Sequence, residues 1–89
     1  MDAPTLATVT ETELATLHIL DVGPLPLTGL ARRLHIIADL VATRTERLAK
    51  TDFILVGDGY VIAAAGREFV ERYDAEVARL DALLRTDPA

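Results

Sequence analysis

The apolar positions of the chain fall into four helical stretches and one alternating stretch. Thr10-Glu11-Thr12-Glu13 has the form of a capping box, with Thr10 as N-cap and Glu13 reaching back. It predicts a first helix running to about Asp21, with Leu14, Leu17 and Leu20 or Ile19 facing inward. Gly23-Pro24 stops it. Pro24 to Leu27 reads as extended, because a residue before proline is pushed from helical geometry, and it could supply a short third strand. Thr28 is the expected N-cap of a second helix, Gly29 to Leu34, in which Leu30, Ala31 and Leu34 share one face. His35-Ile36-Ile37 makes a turn. A third helix is expected from Ala38 to Thr51, with Val41, Thr45 and Leu48 as its buried stripe.

Phe53 to Gly57 and Tyr60 to Ala64 then read as the strands of a hairpin around a two-residue, type I′ Asp58-Gly59 turn. From about Ala65 a last helix runs to Leu84 or Arg85, before Asp87-Pro88 ends the chain. Its Val70, Tyr73, Val77, Leu80 and Leu84 form a narrow heptad seam, suited to one partner helix. The nine residues before the first helix read as a frayed tail whose Leu6 and Val9 can tuck against the body. The predicted fold is mainly α with a small β-hairpin, as a single domain 1–89 divided into 10–64 and a C-terminal dimerisation helix, 65–85.

Eighty-nine residues bury one modest core, and with 51% hydrophobic but only 4% aromatic residues that core is aliphatic. The absence of cysteine excludes disulfides and thiolate metal sites. No apolar run reaches the ~18 residues of a membrane span. The N-terminus lacks the basic start and apolar centre of a signal peptide, so a cytoplasmic location is expected.

The net charge of −5 argues against nucleic acid, but its distribution reverses the argument. Between Arg32 and Lys50 lie five basic and two acidic residues; the rest of the chain has four basic and twelve acidic. A positive face on a negative body can dock on phosphates while the body limits non-specific binding.

Three stretches carry a resemblance to the prokaryotic winged helix-turn-helix regulators of the MarR-, ArsR- and PadR-like group. GPLPLTGLARRLHI resembles their first strand and second helix, and VATRTERLAKTDFI their recognition helix and entry to the wing. AAAGREFVERY is similar to the TEAGR segment that opens the helix after the wing. The resemblance covers roughly residues 13 to 85. It implies a recognition helix in the major groove, a wing on the backbone or minor groove, and a C-terminal helix that pairs two subunits. The chain departs from that pattern in three places. Ile37 replaces the Ser or Thr common at the start of the recognition helix, Asp39 follows in its first turn, and no Arg or Lys occurs between Asp52 and Gly66, where Asp58 tips the wing.

With Val41, Thr45 and Leu48 buried, the third helix is expected to expose Asp39, Leu40, Thr43, Glu46, Arg47 and Lys50, with Ala42 and Arg44 on its flanks. Arg44 and Arg47 could reach guanine edges or phosphates, Thr43 a base edge or phosphate, Asp39 a cytosine amino group and Lys50 a phosphate. Arg32 and Arg33 sit on the helix that crosses the DNA backbone in such motifs. His18 and His35 stand apart from other ligating residues, and packing accounts for them better than metal binding. No nucleophile–base arrangement, phosphate loop or paired carboxylates appear, so neither an enzyme nor a cofactor is expected. The expected function is a homodimeric, sequence-specific DNA-binding transcriptional regulator, partnered by double-stranded DNA and by a second copy. The alternative is a winged-helix protein–protein interaction module in which Leu40, Ala42 and the acidic wing tip meet a protein.

Overall fold

The computed structural model describes residues 1–85; the predicted Asp87-Pro88 stop lies outside them. The elements run α1 (Glu11–Val22), α2 (Leu27–Leu34), α3 (Ala38–Arg44), α4 (Glu46–Lys50), β1 (Ile54–Val56), β2 (Tyr60–Ile62) and α5 (Ala64–Arg85). This is a mainly helical, winged helix-turn-helix fold with a two-stranded antiparallel wing and a long last helix. One aliphatic core holds it together, built from Leu17 and Leu20 of α1, Leu30 and Ala31 of α2, Val41, Leu48, Ile54, Tyr60, Ile62, and Phe69 and Val70 of α5.

The capping box forms as the sequence predicts. Thr10 Oγ1 accepts from Glu13 N–H at 3.1 Å, and Glu13 Oε1 accepts from Thr10 N–H at 2.9 Å. The preceding segment is anchored at Pro4 and Val9, while Leu6, expected to tuck against the body, stays exposed. Pro4 is buried, Val9 N–H donates to Thr5 C=O at 2.9 Å, and Val9 rests against the core.

Helix α2 begins two residues earlier than expected, at Leu27, so its N-cap is Pro26 and Thr28 lies inside the helix. Proline at a helix start sacrifices no hydrogen bond, since the first N–H groups of a helix have no internal acceptor. Both α2 and α4 end on a left-handed residue that is not glycine, His35 (φ 57°) and Asp52 (φ 62°). At each end two backbone bonds close the last turn. Ile36 N–H reaches Ala31 C=O and His35 N–H reaches Arg32 C=O; Phe53 N–H reaches Leu48 C=O and Asp52 N–H reaches Ala49 C=O.

The third helix is not continuous. It breaks at Thr45 (φ −109°, ψ 7°) into α3 and α4, although Thr45 N–H still donates to Val41 C=O and Ala49 N–H to Thr45 C=O. Thr45 is buried, so its hydroxyl must find a protein acceptor, and it donates to the same Val41 carbonyl at 2.7 Å. Such back-bonding bends a helix.

The wing also differs from expectation. Its register pairs Ile54 with Ile62, Leu55 with Val61 and Val56 with Tyr60, so the turn is the three-residue Gly57-Asp58-Gly59 and not a two-residue type I′ turn. A type I′ turn needs positive φ at both central residues, and no glycine among the described residues adopts it. A one-residue shift exchanges the faces of a strand, and the core decides: Ile54, Tyr60 and Ile62 face inward, while Leu55 and Val61 face outward. Leu25 adds a one-residue third strand through paired bonds with Tyr60 at 3.1 and 2.7 Å. That approach explains Gly59, where a Cβ would lie 3.0 Å from Leu25 C=O.

Helix α5 packs its first half on α1. Phe53, Phe69 and Tyr73 form a chain of ring contacts that reaches His18 on α1. Gly66 lets α5 press against the wing entry: a Cβ there would sit 2.2 Å from Phe53 C=O.

Candidate nucleic-acid interface

The α2–turn–α3 unit places α3 on the surface with Val41 as its buried anchor, so the opposite face is set by helical geometry. That face carries Asp39 and Thr43 at its centre, with Leu40, Arg44 and Ile37 along one flank, and all five are exposed. Arg32 and Arg33 occupy the last turn of α2 and are exposed as well. Among the described residues Arg32, Arg33 and Arg44 enter no ion pair, which leaves three guanidinium groups free around α3.

The other two cations of the basic stretch are held by the protein itself. Arg47 was expected on the exposed face of the third helix, but the break at Thr45 and a partner on α1 turn it inward. Its Nε donates to Glu13 Oε2 at 2.8 Å, its Nη2 to Glu13 Oε1, and Nη2 also reaches Thr8 C=O at 2.9 Å. Glu13 is only 3% exposed. Burial alone would push its carboxyl pKa up; the hydrogen bonds from Arg47 and Thr10 and the charge of Arg47 outweigh burial and hold it below the ordinary 4.5. Lys50 pairs with Glu46 one turn before it at 2.8 Å, on an open surface where such a pair is weak and easily exchanged for another anion.

Between the start of α1 and α3–α4 lies an open cleft of about 560 Å³ whose lining includes Arg44, Arg47, Glu11, Glu13 and Glu46. With three carboxylates against two guanidinium groups it offers no net attraction to an anion.

The wing contrasts with α3. Leu55, Val56 and Val61 are 56%, 53% and 42% exposed, and Asp58 stands at the tip. The proposed dimer seam on α5 is divided. Val70 is buried and Tyr73 packs against the core, so these two serve their own chain. Val77, Leu80 and Leu84 are exposed, as is Leu83 beside them. The charges flanking them pair within the helix, Arg79 with Glu76 and Arg85 with Asp81. His18 pairs with Asp74 at 2.9 Å and Arg67 with Asp21 at 3.3 Å, both joining α1 to α5.

Sequence reasoning missed the Arg47–Glu13 pair, because Glu13 was fully accounted for by its capping role. It also missed the outward-facing pair Leu55 and Val61.

The fold and its exposed α3 define a winged helix-turn-helix scaffold. Two solved structures share it. The ligand-free NadR crystal structure superposes with a TM-score of 0.76 at 21% identity, over 92% of this chain. Rv1404 from Mycobacterium tuberculosis superposes with a TM-score of 0.70 at 23% identity, also over 92%. The chain spans 66% and 63% of their lengths, and at these identities the likeness concerns the fold. No family model and no curated protein matches the chain. Among the described residues no helix is long and apolar enough to cross a membrane.

Proposed function

We propose that this protein is a sequence-specific DNA-binding transcriptional regulator that acts as a homodimer. One observation carries the DNA reading: on a winged helix-turn-helix scaffold, the outward face of α3 is bordered by Arg32, Arg33 and Arg44, which have no intramolecular ion pair among the described residues. Arg44 with Thr43 and Asp39 meets base edges, Arg32 and Arg33 meet phosphates, and Lys50 joins them by exchanging Glu46 for a phosphate. Arg47 moves from the reading set to a positioning role, because its Nε and Nη2 are engaged by Glu13 and Thr8.

The dimer reading rests on the bare distal stripe Val77, Leu80 and Leu84, which a two-fold partner helix would cover. Pairing there would present two α3 helices to a pseudo-palindromic site. Leu80→Asp should give a monomer in sedimentation that is still folded by circular dichroism; a wild-type protein that stays monomeric at high micromolar concentration would remove the dimer. Binding to random duplex DNA, titrated with salt, tests the DNA reading. Affinity should fall with rising salt, and the absence of binding at low ionic strength would contradict it.

The interaction-module reading has one observation in its favour. The wing offers exposed Leu55, Val56 and Val61 beside Asp58, a surface suited to protein rather than phosphate.

A further inference from the structure

Leu40 lies on the flank of the outward face of α3, on the side it shares with Ile37 and Arg44 and next to Thr43, and is 37% exposed; Ile37, at the N-cap, is 66% exposed. Leu40 N–H donates to Ile37 C=O at 3.0 Å, which fixes the first turn and keeps both side chains on one side of it. Neither is needed inside: Val41 fills the core beneath α3, and Ile36 and Ala38 pack against that core. A scattered exposed leucine needs no explanation. This one borders the face that carries Asp39 and Thr43 and lies one turn before Arg44, which enters no ion pair among the described residues.

We propose that Leu40, supported by Ile37, is a specificity-determining residue that selects thymine in the bound DNA. The inference rests on the DNA reading above. The floor of the major groove presents hydrogen-bond donors and acceptors on every base pair, and its one apolar feature is the C5-methyl group of thymine. Leucine set over a cytosine amino group or a guanine acceptor strips water from a polar atom and gives it no partner. Set over a thymine methyl, the same side chain removes apolar surface from water on both sides. The residue that gives up the Ser or Thr hydroxyl at the helix start, Ile37, works in the same direction. The α3 face thereby divides its tasks: Arg44 and Thr43 hydrogen-bond, while Leu40 tests for a methyl.

The experiment starts from duplexes selected by the wild-type protein from a random pool. In the selected sequence each thymine is replaced, one position at a time, by deoxyuridine, which pairs identically and lacks only the C5-methyl. At one position per half-site the replacement should weaken wild-type binding about fourfold, the affinity equivalent of one buried methylene. Leu40→Ala, checked by circular dichroism for an unchanged fold, should bind thymine and deoxyuridine duplexes alike at that position. If wild type selects a sequence yet ignores deoxyuridine at every thymine, or if Leu40→Ala keeps the full discrimination, the proposal is overturned while the regulator reading stands. If no sequence is selected and no salt-dependent binding occurs, the regulator reading itself falls, and the Leu40 face is then a protein-docking surface.

Discussion

The two halves of the bent third helix, α3 and α4, are adjacent in sequence and similar in composition, yet they have opposite fates. In α3 the outward side chains Asp39, Thr43 and Arg44 form no ion pair among the described residues. In α4 both cations are paired, Arg47 with Glu13 and Lys50 with Glu46. The break at Thr45 separates a half that is free to read from a half that is fastened to the body. Five basic residues in one stretch are thus not five available charges. Arg47 spends its Nε and Nη2 donors on holding α4, the tail before α1 and the α1 capping box in one arrangement.

The fastened half is the place to look for large stability effects. Gly66→Ala should be the most damaging, since its Cβ would overlap Phe53 C=O where the chain leaves α4 for the wing. Overpacking against backbone of this kind costs roughly 3 kcal/mol or more, which thermal unfolding would show as a large drop in melting temperature. An unchanged melting temperature would mean that α5 does not press on the wing entry.

Glu13→Ala comes next. It removes the acceptor of Arg47 and half of the capping box together, and should destabilise by roughly 0.5–2 kcal/mol, the range for losing a helix cap. The same group sets a pH dependence. Its carboxyl pKa is held below 4.5 in the folded chain, so the unfolded chain takes up the proton first. The Glu13 contribution is therefore fully present above pH 4.5 and is lost as pH falls through the lower folded value. Acid titration of stability should show this loss in the wild type, and Glu13→Gln should flatten it.

The smallest effect is expected at Lys50. Because it already holds Glu46, Lys50→Ala should weaken all DNA sequences alike and reduce the salt slope by at most about one. A change in which sequences are selected would place Lys50 on base edges instead.

Much of this architecture was legible in the sequence. The capping box at Thr10, the stop at Gly23-Pro24, the turn at His35 to Ile37 and the buried stripe Val41, Thr45 and Leu48 are local patterns with one physical solution each. The readings that failed depended on distant contacts. Wing register is chosen by which of Ile54 and Leu55 the core accepts, and an Asp-Gly pair cannot reveal that choice. The helix break at Thr45 coincides with burial of its hydroxyl against the Val41 carbonyl, which the helical period of Val41, Thr45 and Leu48 does not reveal. Arg47 was assigned to the open face because its partner lies 34 residues earlier in the chain. The α5 seam was read as one feature, whereas its first half belongs to the chain's own core and only its distal half is bare.

The division between a reading half and a fastened half is tested most directly by selecting bound sequences from random duplex DNA with three proteins: wild type, Arg44→Ala and Arg47→Ala. Arg44→Ala should keep its thermal stability, lose roughly 1–3 kcal/mol of specific binding and relax the selection at one base position. Arg47→Ala should melt at lower temperature and, below its melting range, select the wild-type sequence. The reverse result, with Arg47→Ala altering the selected bases and Arg44→Ala leaving them intact, would contradict the account.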